Sequence, residues 1–483
     1  MKSINEFIAA SAVVIFPASV LVVDKVYGAV FLIVILLGIR QMVTYRKEIF
    51  PISKDEKLFF FSLCFVMVTV VITTVVNDTD MARADRFLAL VLAIPAYYFF
   101  KRNLFDEKYI WIGVVLGAVV AGIIAYYQVF NLDYCPIKPV HAKGVVHEII
   151  FGDLGLVMGV MSLVGVGWFK TQKVWLVMIP LIALSAGMLA SALSLTRGGW
   201  VAVPFILLLF AWYTPKGFTL RVRILIFSIS FFVLCGLYLI PQTGVQNRVE
   251  AAYSQINMYI LSDNVNDKAR QTSLGIRFEL WRAANFMFKE NLVVGGGWGE
   301  FSGKVHLLID EGLINKTAVN YYHPHNQFIS ALAKGGLLGF GSILIFFILP
   351  AFVFCKSISR HSEAEVQRMA FAGLVLILSF FIFSLSESIL ERSRSIIFVS
   401  FYLAVIMAIL QTNISNTRKK RDLVSSEIFD GLEDQLPVNS TCEKTENLVL
   451  LENDVYKVFK DSNSVNRVLR LLIDIAEKNA RKS

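Results

Sequence analysis

Charge and cysteine are both scarce in this chain of 483 residues. Only 17% of its residues are charged while 56% are hydrophobic, and the mean hydropathy is +0.62. Soluble domains carry about a quarter charged residues, so an ordinary water-soluble fold is excluded. Five cysteines stand far apart and no Cys-x-x-Cys occurs. Cys64 and Cys235 lie in apolar runs, Cys355 and Cys442 fall on or near the expected cytoplasmic side, and Cys135 sits alone in a polar stretch. That spacing excludes a disulfide frame and a zinc knuckle. The one glycine-rich run, at 295–299, lacks the Lys-Ser/Thr of a P-loop and follows no strand pattern, which argues against a nucleotide site.

What is present is a succession of apolar runs of the length a bilayer demands, roughly 20 residues for a helix. They fall near 7–23, 27–43, 58–76, 87–100, 109–130, 149–169, 174–195, 200–213, 224–240, 327–354, 369–386 and 395–411. The expectation is an all-α polytopic membrane protein of about twelve transmembrane helices. One large hydrophilic segment, 241–325, separates the ninth from the tenth, and a polar tail follows at 413–483. The first run continues past Ala10-Ser-Ala12, longer than a signal-peptide core, and is expected to be a retained anchor.

Basic residues set the orientation. With the N-terminus inside, about twenty lysines and arginines fall in short cytoplasmic loops against about eight outside, a positive-inside pattern. Both termini are then cytoplasmic, and 241–325 is outside. The net charge of +9 is largely this signal, so no nucleic-acid partner is invoked. In the tail, Val465, Val468, Leu469, Leu472 and Ile475 form one helical stripe, the pattern of a short amphipathic helix.

The stretch Asn320-Tyr-Tyr-His-Pro-His-Asn326 closes the large loop and runs straight into the tenth apolar run. It sets His323, His325 and Asn326 at a water–lipid boundary, where imidazoles can exchange protons with a lipid-borne substrate. The plainer reading is a loop-to-helix junction capped by Asn326. Other ionisable residues cluster at the outer ends of the runs, where burial in lipid would be costly. These are Arg83 and Arg86 before the fourth, Arg197 in Ser194-Leu-Thr-Arg-Gly-Gly-Trp200, and His147, Glu148 and Asp153 at the sixth. Glu387, Glu391, Arg392 and Arg394 precede the twelfth. Singly each can be an anchor or a structural ion pair. Together, arginines and histidines converging on one face suit a polyanionic headgroup, because guanidinium binds phosphate through a bidentate fork. Within the large loop, Phe278, Trp281 and Phe286 or Phe288 recur at helical spacing ahead of the glycine run.

Two rival sites are visible. His323-x-His325 could ligate a metal if another loop supplied a third ligand. Asp78-Thr-Asp80 matches the DxD of nucleotide-sugar transferases, but on the outside face, where nucleotide sugars are not expected.

In combination, Leu195-Thr-Arg-Gly-Gly-Trp200, Gly275-x-Arg277-x3-Trp281, Glu290-Asn-Leu-Val-Val-Gly-Gly-Gly-Trp298 and His323-Pro-His-Asn326 followed by Gly335, Gly336 and Gly339 resemble the O-antigen ligase superfamily of bacterial envelope glycosyltransferases. The order of motifs and the placement of the large loop agree with it over roughly 1–411, while the acidic tail lies outside the usual pattern. The resemblance implies a Gram-negative inner-membrane enzyme whose active site faces the periplasm. It would pass a polysaccharide from undecaprenyl diphosphate to a sugar hydroxyl of lipid A–core, with inversion and with neither metal nor cofactor. By the same analogy His325 is the general base, and Arg197 and Arg277 are the essential arginines that hold the diphosphate. Position alone adds Arg83 and Arg86, and His323, Asn326, His147 and Glu387 are further candidates for substrate contact. A polysaccharide polymerase of the same superfamily uses the same donor and similar motifs, so it remains open. A twelve-span secondary transporter is the non-enzyme alternative, although no internal repeat is visible.

Overall fold

The structure is a computed structural model that describes residues 2–45, 52–131, 141–212, 220–239, 245–261, 265 and 267–433. It divides into one unit over Met1–Lys419 and a second over Lys420–Ser483. The amphipathic stripe expected near 464–480 lies outside the described residues. Among those that are described, all regular structure is helical.

Helices α1 (Lys2–Ser19), α2 (Val26–Thr44), α3 (Lys54–Val76), α4 (Leu88–Arg102) and α5 (Lys108–Tyr126) open the chain. Then come α6 (Glu148–Val164), α7 (Val166–Gln172), α8 (Met178–Leu193), α9 (Arg197–Trp212) and α10 (Leu220–Leu239). The hydrophilic segment is itself largely helical, with α11 (Val245–Ile260), α12 (Ser273–Glu290) and α13 (Phe301–Asp310). The chain closes with α14 (Gln327–Arg360), α15 (Ala364–Ser384) and α16 (Ser393–Glu433).

Among the described residues, seven helices are long and apolar enough to cross a membrane, or eight if the bent pair α6–α7 is one span. Their composition explains why: uninterrupted apolar residues satisfy lipid on one side and neighbouring helices on the other. This is a polytopic α-helical membrane protein. Each of the twelve apolar runs coincides with a helix, but α1, α4 and α9 are short. Length and composition therefore stop short of twelve spans.

Two features fix where the site sits. Gly155 and Gly159 on α6 face Gly187 on α8, and a Cβ on Gly187 would lie 2.5 Å from the Gly155 carbonyl, so these backbones meet directly. The first part of α16 is the innermost helix, with 89% of its apolar window buried, and Phe401 stacks on Phe16 of α1 at 4.0 Å.

The second feature is a break in α14. Gly336 takes φ 60°, ψ −155°, a conformation open only to glycine, and interrupts the hydrogen-bond ladder. The freed carbonyls of Ala333 and Lys334 accept from Gly296 and Gly297 at 2.9 Å each. The freed N–H groups of Leu337 and Leu338 donate to Leu292 and Val293 at 2.8 and 3.1 Å. The glycine-rich run thus repairs a broken helix rather than cradling phosphate. Unpaired backbone groups cost several kcal/mol where water is absent, and a Cβ on Gly336 would meet the Val293 carbonyl at 2.4 Å.

Candidate active site

Asn326 starts α14. Its Oδ1 accepts from the N–H groups of Phe328 and Ile329 at 2.9 and 3.0 Å, while its Nδ2 donates to the Leu385 carbonyl at 2.9 Å. The asparagine therefore caps the helix and ties it to the segment 385–392 between α15 and α16. Trp281 of α12 donates through Nε1 to the Pro324 carbonyl at 2.8 Å, fixing the turn from the other side. Held between these bonds, His325 adopts φ 52°, a left-handed conformation that costs a non-glycine residue free energy.

Glu387 is the centre of the cluster and is fully buried. His325 Nδ1 lies 2.6 Å from Glu387 Oε2, and Arg392 donates from Nε to Oε1 at 2.9 Å, with Nη2 in ion-pair contact with the same oxygen at 2.9 Å. A third Arg392 nitrogen, Nη1, reaches the Tyr322 hydroxyl at 2.6 Å. His323 Nε2 stands 3.5 Å from Oε1, and its Nδ1 accepts the His325 backbone N–H at 3.2 Å. The bonds assign the tautomers. A carboxylate only accepts, so His325 carries its proton on Nδ1 and presents a lone pair on Nε2. His323 has its lone pair occupied at Nδ1, leaving Nε2–H directed at the carboxylate.

Electrostatics follow the same partition. Burial by itself would raise the Glu387 pKa, but the His325 hydrogen bond and the electrostatic pull of His323, His325 and Arg392 on the carboxylate outweigh it and hold the carboxyl far below its ordinary range. Burial drives the His323 pKa well below that of a free imidazole, against the pull of Glu387. Burial would lower the Arg392 pKa too, yet Glu387 more than compensates and raises it. For Arg277 burial dominates and lowers the pKa, with Glu387 and Asp153 opposing.

A second polar layer supports the first. Lys334, in the first part of α14, is completely buried and binds Glu391 Oε2 at 2.6 Å and the Tyr322 carbonyl at 3.1 Å. Ser330 hydrogen-bonds the other Glu391 oxygen, and Gln327 accepts the Leu390 N–H at 3.0 Å.

The expected residues reach this site to different degrees. Arg277 of α12 donates Nη1 to the Ser386 carbonyl at 2.7 Å, next to Glu387. Arg86 donates to the Glu391 carbonyl at 2.5 Å. His147 caps α6, accepting from Ile149 at 3.4 Å; burial lowers its pKa, and the charges of Glu148, Arg392, Glu387 and His325 all reach it. Arg197 begins α9, and its side chain, like that of Arg83, lies outside the described residues. Arg394 turns away to Asp24 at 2.6 Å. Of the DxD-like triplet, Thr79 and Asp80 pack against Gly297 and Gly299, a structural role. Sequence reasoning missed Lys334 and Tyr322 and left Arg392 in an undifferentiated cluster. A lysine alone within the apolar run was a readable signal, because membrane-embedded charges need partners.

His323, His325 and Glu387 also offer ligand atoms within 4.8 Å of one another, a set that could hold a metal ion. The third ligand that His323-x-His325 needs is thus available. Two features oppose that use: Arg392 already neutralises the carboxylate, and His323 Nδ1 is committed to backbone, so a dication would sit beside a guanidinium.

Fold and site together define a multi-pass helical membrane protein with a buried imidazole–carboxylate–guanidinium cluster at the ends of its helices. Residues 180–344 match the family model described as O-antigen ligase, so over that segment the chain is similar to the O-antigen ligase family. Arg197, Arg277, both histidines and the Gly336 break fall inside the matched segment, whereas Glu387 and Arg392 lie beyond it. A protein of Haemophilus influenzae described only as uncharacterized is 27% identical over 385 residues, which is 80% of this chain and 94% of that relative.

Proposed function

We propose that the chain is an O-antigen ligase that moves a polysaccharide from undecaprenyl diphosphate to a sugar hydroxyl of a lipid A–core acceptor. It would work in the bacterial inner membrane with its site facing the periplasm. The observation that carries this reading is the His325–Glu387 pair, which orients the imidazole and keeps a lone pair on Nε2. The anomeric carbon of a lipid diphosphate sugar already bears a good leaving group. The protein must therefore align two lipid-anchored substrates, take one proton and stabilise charge on the departing diphosphate. His325 Nε2 removes the proton from the acceptor hydroxyl as oxygen attacks from the face opposite the diphosphate, which inverts the anomeric centre. Arg277 and Arg197 meet the diphosphate, and Arg86 and Arg83 are further candidates for contact with it. His323 and Asn326 hold the turn, and His147 lies where a sugar could be oriented. No metal or other cofactor has a role in this scheme.

The accompanying topology has spans 1–9 over 1–240, an outer segment over 241–325, spans 10–12 over 326–412 and a cytoplasmic tail over 413–483. A reporter fused after Asn264 should then read periplasmic and one after Ser362 cytoplasmic; the same side for both would undo the threading. A lipopolysaccharide gel of a deletion strain tests the reaction. Loss of a ligase leaves bare core while lipid-linked polymer accumulates, whereas core bearing one repeat would identify a polymerase instead.

A further inference from the structure

A cavity of about 390 Å³ opens where α1 begins and where α2 and α4 end, lined by Asn5, Leu37, Arg40, Gln41, Thr44, Tyr45, Arg102 and Asn103. It is remote from the histidines. Arg86, just before α4, touches Glu391, while Arg102 ends α4. The 15 residues of that helix separate them by about 22 Å at 1.5 Å per residue. We propose that this cavity binds the phosphate of an anionic phospholipid headgroup.

Three independent observations point there. Among the described residues, the lining carries two guanidiniums and no carboxylate. Arg102 is held face-on over the Tyr45 ring, 3.4 Å from its centroid, which presets the guanidinium plane. Arg40 makes no ion pair among the described residues. Second, Gln41 is only 6% exposed, and its Oε1 has no hydrogen-bond partner. Oxygen and nitrogen of an amide are interchangeable by a flip, so one buried polar end, donor or acceptor, awaits a partner at the cavity wall. Third, exposed apolar residues flank the lining residues in sequence: Ile4 and Phe7 on α1 and Ile39 and Val43 on α2 are 60%, 72%, 44% and 76% exposed. A polar, cationic hollow whose lining residues have exposed apolar neighbours fits an amphiphile whose phosphate enters and whose tails stay in lipid. Arginines at helix ends often serve only as interfacial anchors attracted by the terminal carbonyls. An anchor leaves the buried Gln41 end unsatisfied, whereas a headgroup supplies both phosphate oxygens and, in a glycerol headgroup, hydroxyls.

The test uses the full-length protein purified in mild detergent, with native mass spectrometry during titration with phosphatidylglycerol, phosphatidylcholine or inorganic phosphate. Wild type should retain phosphatidylglycerol in preference to phosphatidylcholine. Arg40→Gln, an exposed change that spares the Tyr45 stack, should weaken that adduct about tenfold, the scale of one charge-assisted hydrogen bond. Arg40→Gln/Arg102→Gln should remove the preference, and Arg418→Gln, a basic residue away from the cavity, should leave it intact. Glycan transfer by Arg40→Gln should equal wild type, which reports that the fold survives. Equal retention of both lipids, equal losses in Arg40→Gln and Arg418→Gln, or displacement of the lipid by millimolar inorganic phosphate would each overturn the proposal.

Discussion

Replacing Glu387 by glutamine changes no shape and removes one charge, and the surroundings of the side chain dictate the consequence. Both carboxylate oxygens act as acceptors, one from His325 Nδ1 at 2.6 Å and the other from Arg392. Glutamine has one acceptor and one donor. If its oxygen faces Arg392, its NH2 faces His325 and forces the imidazole into the tautomer with a proton on Nε2, which cannot serve as base. If its oxygen faces His325, its NH2 opposes a guanidinium. Losing one member of a buried ion pair costs about 3–5 kcal/mol. Arg392 keeps the Tyr322 hydroxyl and a little solvent, so the lower end of that range applies. The catalytic loss should approach what a general base contributes, about 10²–10⁴-fold. The assay is transfer of a lipid-linked glycan to an acceptor by purified protein, with kcat and KM measured separately and monodispersity checked. The fall should lie in kcat, with KM within a few-fold, and Glu387→Asp should recover part of it by keeping the charge. A Glu387→Gln enzyme with wild-type kcat would refute the dyad and reopen the metal reading, which a chelator would then test.

His325→Ala should lower kcat at least as far as Glu387→Gln, whereas His323→Ala should cost less in turnover and more in stability, since its imidazole is consumed by backbone and Glu387; equal kcat losses would contradict the assignment. Arg277→Ala should suppress turnover strongly and Arg277→Lys should restore only part of it, because an ammonium keeps charge but loses the fork; normal turnover in the alanine variant would move the clamp to Arg83, Arg86 and Arg197. Stability should fall with acid. His323 is depressed in the folded state, so its contribution is complete above the ordinary imidazole value of 6.5 and drains as pH drops below it, by at most about 1.4 kcal/mol per pH unit. Glu387 is depressed too, so its contribution erodes only as pH falls below about 4.5. Inactivation temperature in detergent between pH 7.5 and 5.5 should therefore drop in wild type and flatten in His323→Ala.

Helix positions were legible in the sequence because apolar runs of bilayer length have few other uses, and all twelve runs became helix. The histidine pair and Arg277 were legible as residue types at the end of a span. Glu387 was visible only as one carboxylate among several, since nothing local marks the residue that a distant imidazole will choose; 62 residues separate it from His325. The glycine run shows the opposite failure. Its composition was noticed, but its purpose depends on a single φ angle at Gly336, about 40 residues onward, and no periodicity reports a helix that must be broken and mended. The large loop was read as hydrophilic because α12 buries a narrow stripe, Leu280, Ala283, Ala284 and Met287, while Phe278 and Trp281 remain partly open.

The balance of charge in the site bears on which arginine meets the leaving group. Around the histidines stand the carboxylates Glu387 and Glu391, with Asp153 also acting on Arg277, and the cations Arg86, Arg277, Lys334 and Arg392. Lys334 is taken up by Glu391 and the Tyr322 carbonyl, and Arg392 by Glu387 and the Tyr322 hydroxyl, so both are structural counter-charges. Arg277 binds a neutral carbonyl through one nitrogen at 2.7 Å. Among the described residues no carboxylate pairs with it directly, and burial disfavours its charge more than Glu387 and Asp153 favour it. A diphosphate arriving there would relieve the strain and gain a bidentate partner. Transition-state stabilisation rests on charges that are in place yet incompletely satisfied before the substrate binds. By that criterion the proposed clamp would fall to Arg277, while Arg392 would serve the proposed base through Glu387.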